Sequence, residues 1–155
     1  MKAAIRQVYG SPDVLKLEEI EKPIPKDDEI LLKVHAASVN RADSHGLRGT
    51  PFMARIVLGG LRKPKTKILG YDFAGQVDAV GKEISEFHPG DEVFGTNKGA
   101  GGFAEYLCTT QDFLLIKPPN IFQKYFLKTQ YLDLNYQKMT KKHRPLFLYK
   151  SQTLC

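Results

Sequence analysis

Residues 29–37 read EILLKVHAA, and this alternation constrains the fold more than any other stretch. On an extended chain Ile30, Leu32 and Val34 share one face, while Leu31, Lys33 and His35 share the other. That is the period of a strand with a buried side. Shorter segments of the same kind surround it. Residues 2–8 are expected as a strand closed by YGSP at 9–12. Residues 14–20 alternate Val14, Lys16 and Glu18 against Leu15, Leu17 and Glu19, as in a half-buried strand. Residues 72–80 form another, whose Gly75 lets a neighbouring backbone approach closely. The turn PGD at 89–91 leads into a strand at 91–95, and strands at 103–109 and 114–117 complete the set.

Turn-forming segments separate these strands. Residues 22–28 carry two prolines and two aspartates and read as a loop. Residues 41–47 read as a helical turn ending at Gly49. Residues 51–67 read as a long loop with Gly59, Gly60 and several cations, and 99–102 as a flexible glycine run. Many short strands with Gly and Pro turns predict a mainly β domain, a barrel or partly open barrel with short helical turns. No internal repeat is present.

At 155 residues the chain has room for one domain, or one domain and a tail. No apolar run approaches the ~20 residues of a membrane span, so no membrane role is expected. The opening MKAAIRQ places Arg6 where a signal peptide would be apolar. The two cysteines, Cys108 and Cys155, suit neither a disulfide framework nor a Cys-rich zinc site. They fit a reducing, cytoplasmic setting.

The net charge of +6 invites a nucleic-acid reading, but the charge is unevenly placed. Residues 1–116 hold 15 Lys and Arg against 16 Asp and Glu, whereas residues 117–155 hold 8 against one, Asp133. The first 116 residues therefore carry no electrostatic footprint for a polyanion.

A second discontinuity coincides with the first. Val, Ala, Asp, Glu and Gly, whose codons all begin with G, make up 47 of residues 1–116 and one of residues 117–155. These residues are among the commonest in globular domains. Their joint loss is what an AT-rich reading in a shifted frame, a read-through or an alternative exon would produce. Phe122, Tyr125, Phe126 and Tyr131 follow no clean period. The expected organisation is a domain over 1–120 and a basic, poorly structured tail over 121–155, disordered or weakly helical.

Four segments, HAASVNRADSHGLRG, KILGYDFAGQVDAVG, FHPGDEVFG and GGFAEYLCTT, arrive in one order and spacing. Together they resemble the N-terminal GroES-like domain of the medium-chain dehydrogenase/reductase superfamily, in its zinc-independent quinone oxidoreductase-like branch. The resemblance covers about residues 1–120. It implies one wall of a cleft whose other wall is a Rossmann domain binding NADPH or NADH. It also implies hydride transfer to a quinone, enone or carbonyl.

Zinc-dependent members of that superfamily place Cys at the position of Asn40 and His at that of Tyr71. An amide and a phenol make a poor zinc site, so no zinc is expected. By the resemblance Asn40 faces the nicotinamide or the substrate carbonyl, and its amide can both donate and accept. As a residue type it is equally a helix cap. Tyr71 is a candidate donor to a carbonyl oxygen, or a core tyrosine with a satisfied hydroxyl. Asp43 is expected to stabilise the N-terminus of the helical turn. His45 matches a proton-relay position of zinc members but is expected to be merely exposed.

Residues 99–104, GAGGFA, match the dinucleotide fingerprint G-x-G-x-x-A. That fingerprint works only where a strand precedes the glycines and a helix follows them. A strand is expected to follow here, so the match is assigned to a turn. With no other fingerprint, the 155 residues are expected to be an inactive oxidoreductase fragment that binds no cofactor tightly. The apolar face meant for the second domain would then be exposed and available for association. Two other readings stand beside it. One is a small protein whose basic aromatic tail binds nucleic acid, given little weight because AT-rich reading yields Lys, Phe and Tyr by itself. The other is a half-enzyme docking on a separate Rossmann chain.

Overall fold

The computed structural model describes residues 1–57, 60–97 and 99–118. The expectations for the 121–155 tail lie outside the described residues. Among the described residues there are seven strands, two short helices and two 3-10 turns. The strands are β1 Lys2–Arg6, β2 Leu15–Glu19, β3 Glu29–Ala37, β4 Asp72–Val80, β5 Glu92–Thr96, β6 Tyr106–Thr110 and β7 Leu114–Ile116. The helices are α1 Arg41–Arg48 and α2 Phe52–Val57. The protein is mainly β.

β1 and β2 pair antiparallel as a two-stranded sheet, and the other five order as β6-β3-β4-β5-β7. β6 and β7 lie at opposite edges, yet only Gln111–Phe113 separates them in sequence. Four chain steps span at most about 14 Å. The edges of a flat five-stranded sheet stand about 19 Å apart. The sheet must therefore curl. Two register shifts between β3 and β4, at Leu31/Leu32 and Val34/Ala36, supply local bends. Gly75 sits opposite Val34, and a Cβ there would collide with the Lys33 carbonyl. The two sheets are tied by the bridges Ala3–Ala104 and Ile5–Ile68. The result is a curled, unclosed barrel.

The predicted face of β3 is the core face. Ile30 and Leu32 are fully buried with Phe73, Val77, Phe87, Val93, Leu107 and Leu114, and Val34 packs against them. Burying each large side chain contributes about 1.5–3 kcal/mol. A smaller cluster, Ala3, Ile5 and Ala104, fills the space between β1 and the larger sheet.

Four local expectations are corrected. Leu17 was expected on a half-buried face but is 52% exposed, because β2 pairs with β1 alone and borders no other described strand. The strand expected at 103–109 begins only at Tyr106. Before it, the Phe103 carbonyl accepts from the Ala4 N–H and Ala104 bridges Ala3, so these residues serve β1. β1 ends at Arg6 rather than at residue 8, as the chain turns so that the Gly10 N–H donates to the Leu47 carbonyl of α1. The stretch 51–67 is not all loop, since it opens with α2. Arg55 of α2 donates from Nε to the Gly49 carbonyl at 2.8 Å and lies 4.6 Å from the Tyr9 ring centre. That tertiary anchoring supports a helix too short to persist by propensity.

Candidate functional site

The candidate site is built where α1 begins. Asn40 is its N-cap, in extended conformation, and Gly49 closes it in the left-handed region at φ 62. Few residues other than glycine adopt that conformation without strain. The Asn40 Oδ1 accepts from the Asp43 N–H at 3.1 Å, and the Asp43 Oδ2 accepts from the Asn40 N–H at 2.9 Å. This reciprocal pair satisfies two otherwise orphaned donors of the helix start. The expected capping roles of Asn40 and Asp43 are therefore both present.

Asp43 does more than cap. It is only 2% exposed, and its Oδ1 accepts from the Gly70 N–H at 2.9 Å. The Tyr71 N–H, next along the chain, also favours the charged form of this carboxylate. One side chain thus joins α1 to the segment leading into β4. Burial pushes its pKa up to about 6, the backbone donors of Asn40, Gly70 and Tyr71 oppose the rise, and neighbouring Asp72 adds to it.

Asn40 also reaches β4. Its Nδ2 donates to the Asp72 Oδ2 at 2.7 Å. Tyr71 is half-buried. An added Cβ on Gly46 would lie 3.7 Å from its hydroxyl, which places the phenol against α1. Burial raises the Tyr71 pKa, Asp43 adds to the rise, and Arg6 opposes it. The phenol is therefore an un-ionised donor at neutral pH. Of the two residues singled out by sequence, Asn40 donates its N–H to the Asp43 carboxylate, and Tyr71 directly follows Gly70, which does the same.

Arg6 completes the surroundings. It is 4% exposed, donates from Nη1 to the Gly46 carbonyl and from Nε to the Thr66 carbonyl at 3.2 Å. A cation beside the last turn of α1 complements the helix dipole. Burial lowers its pKa, but a guanidinium stays charged in proteins. His45, expected to be exposed, is half-buried, and its Nε2 accepts from the Arg41 Nε at 3.2 Å one turn earlier.

The bridging roles of Asp72 and Arg6 were not anticipated. Asp72 has no local sequence signal. An arginine inside the apolar run AAIRQV could have marked a buried charge needing carbonyl partners.

The glycine run is a turn, as expected. The N–H groups of Gly99, Ala100, Gly101, Gly102 and Phe103 donate to Asn97 Oδ1 and to the carbonyls of Asn97, Leu69, Gly70 and Leu69. None of these five remains for a pyrophosphate, and β6 follows rather than a helix. Among the described residues, no group of three or more His, Cys, Asp or Glu side chains is placed to hold a metal ion. No helix among them is long and apolar enough to cross a membrane.

Comparison with known proteins agrees with this architecture. The family described as the alcohol dehydrogenase GroES-like domain matches residues 26–119. The chain is 39% identical over 114 residues to a quinone oxidoreductase of Sus scrofa, covering 73% of this chain and 32% of that protein. It is 37% identical over 130 residues to the chloroplastic NADPH-dependent alkenal/one oxidoreductase of Arabidopsis thaliana, covering 78% and 32%. The solved quinone oxidoreductase of Coxiella burnetii superposes with a TM-score of 0.69 at 33% identity, covering 79% of this chain and 38% of that one. The chain thus spans about a third of the length of these curated relatives. It belongs to the alcohol dehydrogenase GroES-like domain family, on the quinone oxidoreductase-like side of the medium-chain dehydrogenase/reductase superfamily.

Proposed function

We propose that residues 1–120 form the catalytic-type wall of an NAD(P)H-dependent oxidoreductase that reduces a quinone, an enone or another carbonyl. The observation that carries this reading is the fixed Asn40 amide at the start of α1. It spends one donor on Asp72 and one acceptor lone pair on the Asp43 N–H. One N–H and one lone pair remain for a ligand. The half-buried Tyr71, as a neutral phenol, offers a further donor. Asp43 holds Asn40 through its N–H and the segment of Tyr71 through the Gly70 N–H. Relatives with the printed activities of quinone and alkenal/one oxidoreductases support the substrate class.

In this reading a reduced nicotinamide, when bound, supplies the hydride. Asn40 orients the nicotinamide or the substrate carbonyl, and Tyr71 donates to the carbonyl oxygen. The described residues do not fit the rest of the cofactor, since the N–H groups of the glycine turn are spent on the protein's own acceptors. Nor do Asn40 and Tyr71 suit zinc, since an amide and a phenol replace thiolate and imidazole. On this reading the described domain neither binds the cofactor tightly nor turns over by itself, and works in a reducing, cytoplasmic setting with a Rossmann domain that completes the cleft.

Two measurements test this. NADPH titrated into the 155-residue chain gives no saturable signal, and micromolar binding would overturn the division at residue 120. Residues 1–120 fused to the Rossmann domain of a quinone oxidoreductase reduce quinones or enones, and Asn40→Ala in that fusion lowers kcat/KM. An inactive set of fusions to several compatible partners counts against the oxidoreductase reading.

A further inference from the structure

We infer that Asp72 is a positioning residue that sets which way the Asn40 amide faces a ligand. The inference rests on the proposed cleft role of Asn40 and adds a second residue to it. The two side chains are 32 positions apart and meet at 2.7 Å, Nδ2 donating to Oδ2. Asp72 is itself held against the segment that carries Asn40. Its carbonyl accepts from the Ser38 N–H at 3.1 Å, and its Oδ2 also accepts from the Ser38 Oγ at 3.3 Å.

An asparagine amide reversed about its last torsion exchanges donor for acceptor. At Asn40 both partners oppose that reversal. It would set Oδ1 against the Asp72 carboxylate and the NH2 group against the Asp43 N–H. Two favourable contacts would become two repulsive ones. The carboxylate also polarises the amide, so the remaining N–H becomes a stronger donor. A ligand at this position meets an N–H at one fixed place and a carbonyl lone pair at another. The arrangement suits an acceptor such as a ketone, quinone or carboxamide oxygen. Helix capping alone needs only the Asn40 Oδ1, so the Asp72 contact is not accounted for by the cap.

The test reads the Asn40 side-chain amide by NMR in the full 155-residue chain, with Asp72→Ala and Asp72→Asn beside the parent. In the parent the two Nδ2 protons are inequivalent and one exchanges slowly. Asp72→Ala speeds that exchange about tenfold, as loss of one hydrogen bond implies. Asp72→Asn, which keeps an acceptor oxygen, restores most of the protection. Equal, fast exchange of both protons in the parent overturns the inference, as does an unchanged amide in a folded Asp72→Ala variant. In the active fusion, Asp72→Ala lowers kcat/KM about tenfold. It adds little on top of Asn40→Ala, because the two act as one unit. If Asn40→Ala leaves the fusion fully active while the amide is held, the functional reading of Asn40 fails and the orientation stands. If Asn40→Ala is slow and Asp72→Ala is not, the positioning role fails alone.

Discussion

In the curled sheet, Ile30, Leu32, Phe73, Val77 and Val93 bury one another with no polar side-chain atom to satisfy. At the junction of α1 with β4, a carboxylate buried to 2% exposure takes N–H groups from Asn40 and Gly70. The first region is held by many non-directional contacts, each shared among several neighbours. The second is held by a few directional bonds that converge on Asp43. The sheet can shed a methyl group and relax. The junction loses the one acceptor shared by the start of α1 and the segment leading into β4 when Asp43 is removed. A site that must present an amide at one fixed angle belongs on the second kind of structure, because direction comes from hydrogen bonds rather than from apolar packing.

The sharpest way to break this contrast is a pair of substitutions in the 155-residue chain. Phe73→Ala, at a fully buried core position, should lower stability by about 3–5 kcal/mol in urea unfolding. It should leave the pH dependence of stability parallel to that of the parent. A loss below about 1 kcal/mol would mean the sheet is not packed as described.

Asp43→Ala should lower stability by about 2–4 kcal/mol, since it strands the buried Gly70 N–H and the Asn40 N–H that closes the capping box. It should also change the pH profile. The Asp43 pKa is raised from the ordinary 3.8 to about 6 in the folded chain, so the folded state holds this proton more tightly than the unfolded state. The stability linked to the group is fully present below about pH 4 and is lost as pH rises through about 6. The parent should therefore lose on the order of 2–3 kcal/mol more than the variant between those limits. Parallel profiles would remove Asp43 from the buried junction.

The smallest effect falls on the cap. Asn40→Ala should cost about 1 kcal/mol of stability, far less than either change above, while abolishing the amide that the proposed chemistry uses. A large loss of stability would make Asn40 chiefly a structural residue and blunt the functional reading.

Much of the domain was legible from local pattern. β3 and β4 have the predicted limits, and α1 ends at Gly49 as expected. Each is decided within a few residues, by alternation, by an N-cap Asn three before an Asp, or by a glycine at positive φ. α2 was missed because FMARIV has no period of its own and leans on Tyr9 and Gly49 through Arg55. The exposure of Leu17 was missed because alternation shows that a strand has two faces, not that anything covers one of them. At the candidate site, Asn40 and Tyr71 stand out only through the resemblance of four segments to a family. The Asp72 partner of Asn40 carries no sequence mark.

The sequence by itself determined the mainly β character, the cap-and-glycine limits of α1 and the membership of a family. All of these depend on residues close together along the chain or on motifs in order. Only the tertiary structure decided the strand order, the curl that brings β6 and β7 near each other, the burial of Asp43 and the turn-only use of the glycine run. It alone set Asp72 against Asn40. The physical reason is common to all of these. Burial and hydrogen-bond pairing are made by partners from distant parts of the chain, and a local pattern states what a residue needs without naming which distant residue supplies it.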